Sequence, residues 1–271
     1  MQLTRSLGEA MNTITFWNES KLERVPDISS HYINHFRQNK YNHLEDLRKY
    51  LKSFGPLPKK TSFLGTCQDG LPLFVDLGDS SPGSILLVAD DPYRNLQLLR
   101  NFLAAAMIIN SEQILRCNII SPNIGNFSDL HTAGHIESMI SIYESQAHQL
   151  IYNLAVLAEQ RRTGRMLGET QLLLIDDISE LLKYEDFETN NHLKWIVENG
   201  PINSVWVIAS IDRAKIDQYD KSILKHFGTY ILSQQFSNRS ALLSPGNTNL
   251  MDSYTTRIGM ETINFYLPVQ V

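Results

Sequence analysis

The chain has 271 residues, of which 42% are hydrophobic and 20% charged, and its formal net charge is −5. This balance is ordinary for a globular protein and excludes a strongly basic, nonspecific DNA-binding surface. No apolar stretch approaches the roughly 20 residues that span a bilayer, no secretory signal core stands at the N-terminus, and two cysteines are too few for a disulfide framework. We expect one large α/β domain with an appendage, in the cytoplasm.

Charge is distributed unevenly along the chain. Residues 1–60 carry ten Lys or Arg against six Asp or Glu, and the remainder carries fourteen against twenty-three. Ordinary scatter over solvated surfaces is the preferred interpretation. The alternative is an arm that meets an acidic partner or nucleic acid.

The N-terminal part of the chain is predicted to be helical over 20–57. Apolar residues recur there at helical spacing, with charged residues between them. These apolar residues are Leu44, Leu47, Leu51 and Phe54. Gly55-Pro56 ends the pattern. We expect an N-terminal extension and helical subdomain at 1–60, followed by the main body at 61–271.

The main body alternates apolar strands with helices. It opens with a hairpin, in which Asp69-Gly70 is the turn between strands near 63–65 and 73–77. Further strands are predicted at 85–89, 115–120, 172–175, 205–209, 230–232 and 263–267, with the last as a candidate edge strand. Helices are predicted near 95–109, 135–160 and 189–199. Such alternation predicts a mostly parallel sheet covered by helices on both faces. We expect the strands at 85–89 and 172–175 to be neighbours.

Two pairs of carboxylates follow these two strands. Asp90-Asp91 and Asp176-Asp177 are expected at the carboxyl ends of the strands, where an open α/β sheet usually binds its ligands. Four carboxylates there can bind Mg²⁺ or Mn²⁺ and support metal-assisted phosphoester hydrolysis. The preferred alternative is that Asp91-Pro92 forms a turn, that Asp90 caps a helix, and that the second pair is not catalytic.

Other polar clusters have simpler interpretations. His131 and His135 are four residues apart, which suits a shared metal on a helix, but no third ligand accompanies them. The Arg-rich segment at 161–165 is interpreted as a solvated helix end, with a nucleic-acid or acidic-partner contact as the alternative.

The order of these motifs resembles the motor domain of the FtsK/SpoIIIE/HerA group of P-loop ATPases, over residues 62–271. The hairpin at 64–77 resembles the family's short hairpin, and Ile85–Asp90 resembles the strand that leads into its phosphate loop. Val207–Arg213 and Asn264–Pro268 resemble two later strands of the family. The resemblance implies a RecA-like P-loop sheet flanked by helices.

The same resemblance places the departures from the family at the phosphate loop. Leu96 stands where the phosphate-binding Lys is expected, and Gln97 where a hydroxyl binds Mg²⁺. Tyr93 and Asn95 replace glycines that let backbone N–H groups surround the phosphates. Asp90 and Asp91 add negative charge where a triphosphate would lie. The loop is therefore expected not to bind ATP, and no cofactor is expected.

The acid strand keeps more of the family pattern. Asp176 matches the acid on the Mg²⁺ side, and Asp177 stands where a Glu usually activates water. Ser210 retains a hydroxyl on the fourth strand, whereas Ile211 replaces a polar sensor and Tyr230 stands where relatives tend to have an intersubunit Arg. Several functional positions differ together.

The resulting hypothesis is a catalytically inactive pseudo-ATPase that serves as a scaffold of an intracellular complex. Its partner is expected to be an active DNA- or protein-translocating ATPase, or a second copy. The predicted interface consists of Tyr93, Arg94, Arg48, Lys49 and Lys52. In the competing interpretation Tyr93 fills the empty nucleotide crevice and the helix at 44–54 caps the sheet. A metal-dependent phosphoesterase or nucleotide hydrolase, and a DNA-associated regulator, remain the alternative functions.

Overall fold

A computed structural model describes residues 43–130, 133–184, 186–218, 221–234, 253–258 and 261–267. The predictions for residues 1–42 and for His131 lie outside the described residues. None of the helices within these ranges is long and apolar enough to cross a bilayer.

The described residues form ten strands and six α-helices. The strands are β1 (Thr61–Cys67), β2 (Pro72–Asp76), β3 (Ile85–Ala89), β4 (Leu115–Ser121), β5 (Ile136–Ser141), β6 (Thr170–Ile175), β7 (Val205–Asp212), β8 (Thr229–Gln234), β9 (Ser253–Ile258) and β10 (Glu261–Tyr266). The helices are α1 (His43–Lys52), α2 (Pro92–Ile109), α3 (Ser145–Arg162), α4 (Ile178–Tyr184), α5 (Phe187–Asn199) and α6 (Lys221–Leu224). Short 3₁₀ segments lie at Ile124–Leu130, Pro201–Asn203 and Arg213–Gln218.

All ten strands join one mixed sheet in the order β2-β1-β10-β9-β8-β3-β7-β6-β4-β5. The six strands from β8 to β5 run parallel to one another. The other four continue the sheet in antiparallel pairing. β3 and β6 are buried along their whole length, as strands covered on both faces require. The predicted α/β class and mostly parallel sheet are confirmed.

The position of β7 corrects one prediction about the sheet. β7 pairs with β3 on one side and with β6 on the other, through Ile208 opposite both Ile85 and Leu174. The predicted direct contact between β3 and β6 is therefore wrong, although the two strands are parallel. With one strand between them, they lie about 10 Å apart. Apolar periodicity identifies buried strands but carries no information on their order.

Two further predictions of the secondary structure are corrected. The helix expected from 135 begins only at Ser145, because Ile136–Ser141 forms the sheet-edge strand β5. The four-residue spacing of Ile136 and Ile140 imitates a helical pattern. The late strand is β10, which lies between β1 and β9 and is not an edge. β9 itself was not indicated by the sequence.

Helices cover the two faces of the sheet and give it two large apolar cores, with a third, smaller cluster beneath α1. α2 packs Leu99, Phe102 and Leu103 into one core, and α3 and α5 contribute Ile151 and Ile196 to the other. α1 buries Leu47 and Leu51 fully against Phe63, Phe74 and α2, while Arg48, Lys49 and Lys52 stay exposed. α1 thus caps the hairpin end of the sheet, and the boundary at residue 60 stays a prediction.

Candidate functional site

The connection between β3 and α2 contains only two residues, Asp90 and Asp91. α2 begins at Pro92, a residue suited to the first helical position because its missing N–H would have no helical partner there. The carboxylate of Asp91 accepts a hydrogen bond from the backbone N–H of Tyr93 at 2.9 Å. Asp91 therefore caps the helix, and the prediction that Asp90 does so is wrong because Pro92 fixes where the helix starts.

The cap changes what the start of α2 can bind. The N-terminus of a helix attracts anions through its free N–H groups and the positive end of its dipole. In this chain a side-chain carboxylate already occupies that position. A phosphate arriving from solution would meet the negative charge of Asp91 instead of free donors.

The other residue of the connection, Asp90, is held by an ion pair. The carboxylate Oδ1 of Asp90 lies 3.3 Å from Nε of Arg213, which follows β7. Nη2 of Arg213 also donates to the backbone oxygen of Ser233 on β8 at 3.1 Å. Nη1 of Arg94 donates to the Ser233 hydroxyl at 3.3 Å. These contacts tie together the carboxyl ends of β3, β7 and β8.

The side chains at the positions where the resemblance places a lysine and a hydroxyl are turned into the protein. Leu96 packs against the apolar core, and Gln97 is buried with its Oε1 lacking a hydrogen-bond partner. Asn95 is buried as well, and its Nδ2 donates to the backbone oxygen of Ile211 at 2.9 Å. Tyr93 has the opposite environment, with 59% of its surface exposed. The interpretation that Tyr93 fills an empty crevice is wrong.

At the end of β6, Asp176 lies between hydroxyls from the two neighbouring strands. Ser121 of β4 donates to Oδ2 at 3.0 Å, and Ser210 of β7 donates to Oδ1 at 3.4 Å. Burial raises the pKa of Asp176 above its ordinary value, and the hydroxyl hydrogen bonds partly offset this. Ser121 was missed in the sequence, where its only signal is a polar residue that ends an apolar strand.

Asp177 caps a helix and forms an ion pair. Its φ of 60° is in the left-handed region, which Asp tolerates better than most residues. Its side chain caps α4 by accepting from the Ser179 hydroxyl and backbone N–H. Its Oδ2 lies 2.7 Å from Nζ of Lys215, which also contacts Glu180 at 3.1 Å. Lys215 was not singled out in the sequence, where an isolated lysine gives no signal.

The four candidate metal ligands are not brought together as one group. Asp90 pairs with Arg213, Asp177 pairs with Lys215, and β7 separates the two strand ends. Within the described ranges, no group of three or more His, Cys, Asp or Glu side chains is arranged to hold a metal ion. His135 contacts the backbone oxygen of Asn110 at 2.9 Å.

The arginine-rich segment has a structural use. Arg161 donates to three backbone oxygens, those of Asn203, Ser204 and Glu169. Arg162 pairs with Glu159 at 2.7 Å. The arginines at 161 and 162 therefore support the end of α3 and the adjacent loops.

Comparison with known proteins gives the class of fold. No protein-family profile matches the chain, and no curated protein matches its sequence. Among solved structures, the cytoplasmic domain of the type VII secretion ATPase EccC from Thermomonospora curvata has 17% identity and a TM-score of 0.56, covering 79% of this chain and 29% of that chain. EssC (ATPases 2 and 3) from Geobacillus thermodenitrificans has 11% identity and a TM-score of 0.60, covering 80% and 46%.

A third structure is that of the pCW3 conjugation coupling protein TcpA with ATPγS, which has 14% identity and a TM-score of 0.54, covering 77% of this chain and 66% of that chain. The chain thus spans less than half the length of the EccC and EssC structures. At these identities the likeness shows the fold alone. The fold is similar to that of the ATPase domains in these structures, which confirms the predicted α/β class with a RecA-like sheet.

Proposed function

We propose that this chain is a catalytically inactive member of the P-loop ATPase fold that acts as an interaction subunit of a larger complex. The observation that carries the proposal is the two-residue connection between β3 and α2, closed by the Asp91 cap. A phosphate loop of the usual form needs a glycine-rich segment followed by a Lys and a hydroxyl residue. Two residues leave no length of backbone to surround a triphosphate.

Electrostatic repulsion also disfavours the binding of a triphosphate at this connection. Asp90 and Asp91 stand where the phosphates would lie, and the position expected for the Lys is Leu96. At an effective dielectric constant of about 20, two unit charges about 4 Å apart repel by about 4 kcal/mol. The pairing of Asp90 with Arg213 reduces its repulsion, but the pair also occupies the space above the strand ends.

The residues that would activate water are committed to structural contacts. Asp177 is used in the cap of α4 and in the ion pair with Lys215. Asp176 accepts a hydrogen bond from Ser210 at the end of β6. The acid strand thus has the expected arrangement, although the connection after β3 is too short for a phosphate-binding loop. The four-carboxylate phosphoesterase is not favoured, because Asp90 and Asp177 lie in separate ion pairs and Asp91 caps α2.

The proposed partner is an active ATPase of the same fold or a second copy of this chain. The similar EccC and EssC structures contain ATPases 2 and 3 of those proteins, and TcpA is a conjugation coupling protein. Tyr93 is exposed beside Arg94, and the outer side of α1 presents Arg48, Lys49 and Lys52. Tyrosine and arginine are enriched at binding hot spots. No cofactor is proposed, and nucleic acid is not favoured.

Two measurements test the proposal. ATP hydrolysis by the purified chain should equal that of Asp176→Ala, and turnover that disappears in this variant would contradict inactivity. Co-purification should weaken in Tyr93→Ala/Arg94→Ala and in Arg48→Glu/Lys49→Glu/Lys52→Glu, with exposed Arg165→Glu as the control. Deletion of the N-terminal residues is unsuitable, because α1 packs into the core. A partner retained by both variants places the interface elsewhere.

A further inference from the structure

Three exposed aromatic residues lie on the side of the sheet that α3, α4 and α5 cover. Tyr143 is 59% exposed, Tyr184 is 54% exposed and Phe187 is 83% exposed. The rings of Tyr143 and Tyr184 meet edge to face, with centroids 5.2 Å apart. Aromatic surface exposed to this degree on neighbouring elements is uncommon away from binding sites.

The backbone beneath these rings is held firmly. Tyr143 lies between β5 and α3, Tyr184 ends α4, and Phe187 begins α5. Asp186 caps α5 by accepting from the backbone N–H of Thr189 at 2.7 Å. α3 and α5 pack together in the second core through Ile151 and Ile196. Tyr184 and Phe187 are therefore presented by helix ends, and Tyr143 by the three-residue connection between β5 and α3.

Exposed carboxylates are next to two of these three aromatic residues in the chain. Glu144, Asp186 and Glu188 are all exposed and adjoin Tyr143 or Phe187 in the chain. The nearest lysine in the chain, Lys183, is paired with Glu180 at 2.6 Å. The six residues of the acidic aromatic patch are Tyr143, Glu144, Tyr184, Asp186, Phe187 and Glu188. The patch carries the same sign of charge as the whole chain, which has a net charge of −5.

We propose that the acidic aromatic patch docks a basic amphipathic segment of a partner protein. The apolar side of such a segment packs on Phe187 and the tyrosine rings, and its Lys or Arg side chains lie over ring faces and beside the carboxylates. The carboxylates disfavour nucleic acid, whose phosphates they repel. Charge complementarity with an acidic chain also favours encounter with a basic partner.

The patch is a different surface from the loop beside Tyr93. Tyr143 follows β5, and four strand spacings, about 19 Å, separate β5 from β3. Docking at this patch adds the chemistry of one partner to the proposed function. It rests on that function only because it assumes that the chain acts in a complex. ATP hydrolysis is measured in a separate experiment from peptide binding. A chain that hydrolyses ATP and still binds the basic peptide would overturn the proposed inactivity and leave the docking proposal standing.

The test uses fluorescence anisotropy with the full chain and a labelled peptide of Lys and Leu, about 18 residues long and patterned as an amphipathic helix. A matched peptide carries Glu in place of Lys. We expect saturable binding of the Lys peptide only, weakened at least about tenfold by Phe187→Ser, a change expected of a hot-spot aromatic. Glu144→Lys/Glu188→Lys should weaken binding of the Lys peptide by a similar factor. Phe187→Tyr keeps an aromatic ring and should retain most of the wild-type affinity.

Leu167→Ser is the matched control, because Leu167 is 92% exposed and follows the far end of α3. Its affinity should equal that of the wild type, and circular dichroism checks that all variants fold. Equal binding of both peptides, absence of saturable binding, or full affinity in Phe187→Ser would overturn the proposal. Self-association of the wild type that Phe187→Ser abolishes would assign the patch to a second copy and would also overturn it.

Discussion

The carboxylate of Asp90 and the guanidinium of Arg213 lie 3.3 Å apart and connect the end of β3 to the end of β7. This pair stands over the strand ends where a P-loop ATPase holds its phosphates. Both side chains are partly exposed, so the pair contributes little to stability, on the order of 1 kcal/mol or less. Its importance lies in its position, because it closes the sheet end with contacts made within the chain.

The Asp91 cap gives the first prediction. Asp91→Ala removes the acceptor for the Tyr93 N–H and should lower the free energy of unfolding by about 1 kcal/mol. Asp91→Ser keeps a capping oxygen and should cost clearly less. Urea denaturation of the three proteins measures both effects. An alanine variant as stable as the wild type would show that the cap is not significant.

The second prediction concerns Asp176 and pH. Burial raises the pKa of Asp176 above its usual 3.8, so the folded state binds this proton more tightly than the unfolded chain does. This contribution to stability is present below about pH 3.8 and is lost as the pH rises through the folded-state pKa. Asn stays neutral, so Asp176→Asn should gain stability relative to the wild type between about pH 4 and pH 7.

Thermal melting across that range measures the effect of Asp176→Asn. Glu261→Gln, an exposed carboxylate on β10, serves as the control and should follow the wild type at every pH. A constant difference between Asp176→Asn and the wild type across the range would mean that Asp176 is not destabilised by burial in its charged form.

The third prediction concerns Lys215. Its Nζ contacts both Asp177 and Glu180, and Lys215→Met would leave Asp177 without its cation. Because both side chains of this pair are partly buried and Lys215 contacts two carboxylates, the loss should be about 1 to 2 kcal/mol, somewhat above that of a surface pair. Lys183→Met removes a more exposed partner of Glu180 and should change stability by no more than about 0.5 kcal/mol. Equal effects of the two substitutions would contradict the prediction.

The sequence predicts much of this fold because its central strands are continuous apolar runs. β3, β6 and β7 were located within a few residues, and the acid pairs were placed correctly at the ends of β3 and β6. β5 and β9 were missed: β5 has isoleucines at helical spacing, and β9 is rich in Thr and Ser. Local patterns report burial and periodicity; the pattern of β5 indicates a helix, and β9 has no continuous apolar run.

The partners of the site residues could not be predicted in the same way. Arg213 and Lys215 follow β7, and their contacts with Asp90 and Asp177 exist only because β7 lies between β3 and β6. Strand order depends on packing between distant segments. The phosphate-loop departures were visible as residue types, but the shortness of the connection depends on where α2 begins.

The fourth prediction concerns α1. Leu47 is fully buried against the hairpin strands, so Leu47→Ala should cost about 2 to 5 kcal/mol. Arg48→Ala, on the exposed side of the same helix, should change stability by no more than about 0.5 kcal/mol. The body and α1 should unfold in one transition. A separate early transition confined to Leu47→Ala would show that α1 belongs to an independent subdomain.

Isothermal titration of the 271-residue chain with Mg-ATP tests the central claim most directly. The claim is that a two-residue connection with an Asp91 cap and an Asp90–Arg213 pair leaves no phosphate-binding loop. The expected result is no saturable heat, identical for the wild type and Asp176→Ala. Saturable binding of Mg-ATP that Asp176→Ala weakens would show that the nucleotide site is functional and would contradict the account.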